Sequence, residues 1–192
     1  MNAAESMELV PVEEYLAAEL TSPQKHEYLG GGVYALCGAR NAHNQIATNA
    51  LIALGSQLRG QRCRAFNSDT KIRIRLPHHL RFYYPDLSVV CRPNPLDESF
   101  QDEPVVLVEV LSRSTRRLDE GEKKEAYLAI PSLCVLLLVE QERSSVQVFR
   151  RTDQGFVREV FHGMQSVVPL PEVGAELALA DLYEGLDLTP ET

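Results

Sequence analysis

"EPVVLVEVLSRST", residues 103–115, reads as a strand that is apolar on both faces. Val105, Val106, Leu107, Val108, Val110 and Leu111 leave neither face polar, the pattern of a strand in the middle of a covered sheet. Glu109 interrupts it. An unpaired buried carboxylate costs on the order of several kcal/mol even after relaxation, so something must neutralise that charge or use it.

Downstream, "LCVLLLVE" (residues 133–140) is a second strand apolar on both faces, and "SVQVFRR", "FVREVF" and "QSVVPL" alternate like outer, antiparallel strands. Upstream, "CRAFNS", "KIRIRL" and "FYYPDLSVVC" are further strands. Pro85 cannot donate to a ladder, so it marks an edge, a bulge or a strand beginning, and Asp86 follows it directly. "RPNPLDESFQDEP" has the prolines and charges of a surface loop. "HEYLGGGVYALC" reads as a hairpin whose glycines, Gly30, Gly31 and Gly32, supply positive φ. No Lys-Ser or Lys-Thr pair follows them, which argues against a phosphate-binding loop.

Helical spacing appears in four places. "PVEEYLAAEL" has Pro11 near its start, and "TSPQ" ends it with turn chemistry. "NAHNQIATNALIALGSQLRG" carries Ile46, Ala50, Leu51, Leu54 and Leu58 and closes on Gly60. A third helix is expected over about 115–129, stopping before Pro131, and a short one around "LADLYEGL". The order predicts one α/β domain over residues 1–192, a mixed central β-sheet flanked by helices, with a short polar C-terminal tail. No internal repeat, low-complexity tract or interdomain linker is visible.

Composition agrees with that size of core: 192 residues, 44% hydrophobic and 24% charged. The opening "MNAAESMELVPVEEYLAAEL" is acidic and does not resemble a signal peptide. The longest apolar run, "LCVLLLV", falls far short of the roughly 20 residues that a membrane span needs. A soluble, cytoplasmic protein is expected, with no membrane partner. Cys37, Cys63, Cys91 and Cys134 are scattered, and buried free thiols are expected in preference to a disulfide or zinc site.

A formal net charge of −8 and a pI near 5.2 argue against coating nucleic acid by bulk electrostatics. Contact with DNA would have to be local. The period of two puts Lys71, Arg73 and Arg75 of "KIRIR" on one strand face, with Arg59, Arg62 and Arg64 nearby. The alternative for each basic group alone is a solvated outer face.

"YYPD" (residues 83–86), then "VVLVEVLSRST", then "DEGEKKEAY" (residues 119–127) resembles the Uma2 family of endonucleases, within the restriction-endonuclease-like PD-(D/E)XK superfamily. The likeness begins at "VEEYL", passes through "KHEYLGGGVYALCGARNAHN" and ends near "LADLYEGL". It implies a mixed sheet flanked by helices, a divalent-metal site holding Mg²⁺ or Mn²⁺, and hydrolysis of DNA phosphodiesters.

Carried over residue by residue, the resemblance puts Asp86 and Glu109 at the metal, with the backbone carbonyl of Val110 as a further ligand. Two carboxylates brought together raise each other's pKa, and a hard cation reverses that balance. The alternatives are a turn acid for Asp86 and a salt bridge to Arg73 or Arg113 for Glu109. The superfamily lysine would stand two residues beyond the acid, where this chain has Leu111. The resemblance suggests a lysine displaced to the next helix, where Lys123 and Lys124 stand. Asp119, Lys123 and Tyr127 fall on one helical line, which favours Lys123. Its alternative is a surface lysine paired with Asp119. Glu27 matches a family glutamate that completes the acidic cluster; the alternative is an exposed acid paired with Lys25. His43 matches a recurring position where it would orient a phosphate; the alternative is a helix-cap or packing histidine. Ser112 and Thr115 read as helix caps rather than nucleophiles. "GGG" replaces an acid-containing turn of the family, which would weaken metal affinity if those acids shape the site.

The leading expectation is a metal-dependent DNA endonuclease, acting as a homodimer because two symmetry-related sites serve two strands. The alternatives are a catalytically silent binding or regulatory protein, and a metal-dependent hydrolase of a smaller phosphorylated substrate. No separate DNA-reading module is visible, so specificity is either absent or supplied by a partner protein.

Overall fold

The structure, a computed structural model, describes residues 9–112, 116 and 119–188. The expectations for Arg113, Thr115, the opening residues 1–8 and the tail from 189 lie outside the described residues.

The chain runs α1 (Val12–Glu19), β1 (His26–Leu29), β2 (Gly32–Ala35), α2 (Asn41–Gln57), β3 (Arg64–Asn67) and β4 (Lys71–Arg75). It continues through β5 (Leu80–Tyr83), β6 (Leu87–Val90), β7 (Phe100–Gln101), β8 (Pro104–Leu111) and α3 (Lys124–Leu128). β9 (Val135–Glu140), β10 (Ser145–Thr152), β11 (Gly155–His162), β12 (Val167–Leu170), β13 (Ala175–Ala178) and α4 (Leu179–Leu182) follow.

The expected α/β architecture of mixed β-sheet and helices is present, with the strands divided between two mixed sheets. One has the order β2-β1-β5-β4-β7 and the other β11-β10-β9-β8-β6-β3, while β12 and β13 form a separate ribbon. The division falls at Pro85. "FYYPDLSVVC" is not one strand but two, with β5 in the first sheet and β6 in the second, because a residue without an N–H interrupts the ladder. Asp86 therefore stands where the chain crosses between sheets.

β8 is covered on both sides, as its sequence requires. Val106, Val108 and Val110 pack with Ile46, Ala50 and Leu54 of α2, and Leu107 and Leu111 pack with Ile72, Tyr83 and Tyr127. Strand alternation puts Glu109 on the side of Leu107 and Leu111. β8 pairs in parallel with β9 and antiparallel with β6.

The Gly30–Gly31 turn joins β1 and β2 with φ values of 58° and 108°, positive as a two-residue hairpin demands. α2 spans the residues its periodicity indicates, and Gly60 beyond it has φ 76°. The third helix departs from expectation: over the described residues 119–128 it is regular in α3, and the preceding turn, Asp119–Lys123, is broken at Gly121, where φ is −107° and ψ is −114°.

The cysteine expectation is also corrected. Cys63 and Cys91 form a disulfide. β3 and β6 pair antiparallel with Arg64 opposite Val90, so the next residue outward on each strand is a cysteine facing a cysteine. Cys37 is an exposed free thiol and Cys134 a half-buried one. Among the described residues no helix is long and apolar enough to cross a membrane.

Candidate active site

The register of β6 on β8 explains why two acids far apart in sequence meet. Leu87 pairs with Val108, which sets Asp86, one residue earlier, opposite Glu109, one residue later. The Val110 N–H donates to Asp86 Oδ2 at 2.7 Å, and His43 Nε2 lies 2.9 Å from Asp86 Oδ1. The His43 Nδ1 atom is buried and has no hydrogen-bond partner among the described residues.

Glu109 is 4% exposed. Among the described residues Lys123 Nζ lies 2.9 Å from its Oε1 and the Tyr127 hydroxyl donates to the same oxygen at 2.7 Å, while Arg73, one of the partners weighed for it, pairs with Asp102. Lys123 also reaches Glu27 Oε1 at 3.1 Å. Glu27 is buried on β1, and Lys25, the partner weighed for it, pairs instead with Asp69 at 2.6 Å. Lys123 is thus no surface lysine, whereas Lys124 lies over the Phe149 ring, 5.3 Å from its centroid. Asp119, Lys123 and Tyr127 are all buried, so the line they form across the broken turn faces inward.

Lys123 is the cation that Glu27 and Glu109 share. Burial pushes the Glu109 carboxyl well above the usual range; Lys123 opposes the rise, and Asp86 and Asp119 add to it. Burial alone would lower the Lys123 pKa, but the carboxylates of Glu109, Glu27 and Asp119 outweigh it and hold the ammonium charged. For His43 burial also disfavours charge, and the hydrogen bond and charge of Asp86 outweigh it, raising the pKa.

Asp86, Glu109, Val110, Asp119 and Lys123 line one cavity of about 580 Å³, with His43 and Arg40 in its wall. Gly30, Gly31 and Gly32 do not line it. The basic strand face lies elsewhere. Lys71, a candidate DNA contact whose alternative was a solvated outer face, is buried with its ammonium 3.2 Å from the Tyr84 hydroxyl. Arg73 makes a bidentate pair with Asp102, both bonds 2.7 Å, and Arg75 joins the same carboxylate. The helical line drew attention to Tyr127 only as an aromatic residue; its hydrogen bond to Glu109 appears only once β8 and α3 are packed.

Known proteins resemble this chain in sequence and in fold. The sequence pattern of the Uma2 family, described as "Putative restriction endonuclease", matches residues 12–181. The uncharacterized protein slr1290 of Synechocystis sp. is 32% identical over 175 residues, covering 91% of each chain. A second uncharacterized Synechocystis protein, sll1609, is 26% identical over 144 residues, 73% of this chain and 80% of that one. Among solved structures, a "putative nuclease belonging to DUF820" from Anabaena variabilis superposes with a TM-score of 0.70 at 20% identity. That match covers 91% of this chain and 97% of the other, and shows a shared fold. With its pattern matched from α1 to α4, the chain belongs to the Uma2 family.

Proposed function

We propose that this protein is a metal-dependent endonuclease that hydrolyses phosphodiester bonds of DNA. The observation that most supports it is the convergence of Asp86, Glu109 and Lys123, from three separate segments, in the wall of one cavity. Family membership supports a nuclease; the donor chemistry supports the metal.

Asp86, Glu109 and the Val110 carbonyl offer oxygen atoms only, which suits a hard cation such as Mg²⁺ or Mn²⁺. Among the described residues no three His, Cys, Asp or Glu side chains gather into one ligand shell. Binding through one or two carboxylates with water completing the shell is the usual mode for Mg²⁺. The upward shift of Glu109 by burial fits as well, because such a carboxyl ionises readily only beside added positive charge. When bound, the cation would polarise the scissile phosphate and stabilise the leaving oxygen.

The chain supplies the rest. The Lys123 ammonium, steered by Glu27 and Glu109, is positioned to stabilise charge developing on the phosphoryl oxygens. Tyr127 restrains Glu109 so that its carboxylate keeps one orientation. A homodimer would present two such sites to the two strands of a duplex.

Calorimetry with Mg²⁺ and Mn²⁺ on the wild type and Glu109→Ala, alongside cleavage of supercoiled and linear DNA, tests the proposal. Cation binding and nicking are both expected in the wild type and both lost in the variant. A wild type that binds neither cation and cuts neither DNA would sink it in favour of a silent fold. Hydrolysis of small phosphodiesters without DNA cleavage would move the assignment to a smaller phosphorylated substrate.

A further inference from the structure

Arg40 and His43 both line the candidate cavity, three residues apart at the start of α2. Arg40 is the residue before the helix, with extended backbone (φ −72°, ψ 158°), and His43 lies in the first turn. They differ in what already holds them.

His43 Nε2 lies 2.9 Å from one oxygen of Asp86, and the Val110 N–H holds the other at 2.7 Å. An ionised carboxylate only accepts, so Nε2 is the donor in this bond. With a donor on each oxygen, the Asp86 carboxylate cannot turn about its last bond without breaking one of them. Each oxygen still has a lone pair for a cation. Arg40 stands in contrast: it is exposed, while the other cations of the wall are engaged. Lys25 pairs with Asp69, Arg116 with Glu140 and Lys123 with Glu109. A guanidinium offers a planar fork of donors that matches a phosphate.

We propose that the start of α2 divides two tasks: His43 is a positioning residue that fixes Asp86 for a divalent cation, and Arg40 contacts a phosphate of the substrate strand. This rests on the nuclease reading and deepens it. It also moves the phosphate contact from His43, where the sequence suggested it, to Arg40. Partners that orient a ligating side chain commonly change metal affinity or activity by about 10–100-fold when removed, whereas a substrate contact acts on substrate binding.

The test uses His43→Ala, His43→Gln and Arg40→Ala, read by Mn²⁺ calorimetry without DNA and by kcat and KM on a DNA oligonucleotide. His43→Ala is expected to weaken Mn²⁺ binding about tenfold or more and to lower kcat, with KM for DNA little changed. His43→Gln, whose amide N–H can reach toward Asp86, restores most of the Mn²⁺ affinity and provides a folded comparison if the alanine variant is unstable. Arg40→Ala leaves Mn²⁺ binding intact, raises KM, and reduces the slope of log KM against log salt by about one. Unchanged Mn²⁺ affinity in His43→Ala, or a rise in KM alone, overturns the positioning role. Unchanged KM and salt slope in Arg40→Ala overturn the phosphate contact. A wild type that neither binds Mn²⁺ nor cuts overturns the nuclease reading and both roles with it, a result distinct from either variant failing alone.

Discussion

At the scale of the residue, the molecule answers what a glutamate does inside an apolar strand. Glu109 is held by an ammonium and a phenol, both from the segment that follows β8 in sequence. That arrangement makes Lys123 the residue on which the cluster depends. Removing one member of a buried ion pair typically costs about 3–5 kcal/mol, because the other charge is left uncompensated. Lys123→Met leaves both Glu27 and Glu109 without their shared cation, so a loss of that size is expected in urea unfolding. Adding Glu109→Gln to Lys123→Met should recover part of the loss, since it removes one stranded charge. If the single substitution proves neutral, water must reach the two acids and the cluster is not sealed.

At the scale of the element, the covalent link between the start of β3 and the end of β6 has the clearest consequence. Cys63 and Cys91 are 28 residues apart in sequence, and closing a loop of that order typically stabilises a fold by about 2–4 kcal/mol through the unfolded chain. Cys63→Ser with Cys91→Ser is expected to lower the unfolding free energy by roughly that amount. Equilibrium denaturation with and without reductant measures it, and a reductant effect on the wild type that vanishes in the double variant would identify the disulfide as the cause. β6 begins immediately after Asp86, so loosening its far end tests how firmly the strand holds that acid. Reduction that weakens Mn²⁺ binding would show the two ends of β6 to be coupled.

At the scale of the whole molecule, acid stability reflects ion clusters that tie distant segments together. Asp102 joins the loop before β8 to β4 through Arg73 and Arg75. Burial alone would raise its pKa, but the hydrogen bonds and charges of Arg73, Asn94 and Arg75 outweigh it and hold the carboxyl below its ordinary value. A depressed folded pKa stabilises the fold above the unfolded carboxyl value of about 3.9 and loses that contribution as pH falls through the folded value. Asp102→Asn is therefore expected to cost stability at neutral pH and to flatten the acid-side decline. Urea midpoints from pH 7 down to about 2 test this; parallel curves for variant and wild type would exclude Asp102 as a source of acid sensitivity.

The sequence by itself determined the elements whose signals are local. Alternation and apolar runs marked β8 to β11, helical spacing marked α2, and paired glycines marked the β1–β2 turn. It also singled out Asp86, Glu109 and Lys123 as candidates, by motif resemblance and by the oddity of an acid in an apolar strand. Tertiary structure decided the relations among them. The β6–β8 register brings Asp86 opposite Glu109, the broken turn at Gly121 and the packing of α3 aim Lys123 inward while Lys124 lies over Phe149, and strand pairing joins two cysteines. Tertiary packing buried Lys71, a candidate DNA contact whose alternative was a solvated outer face, and split one apparent strand between two sheets at Pro85. Each of these depends on which distant segments pair and in what register, and that is set by the summed packing of the core rather than by any window of neighbouring residues.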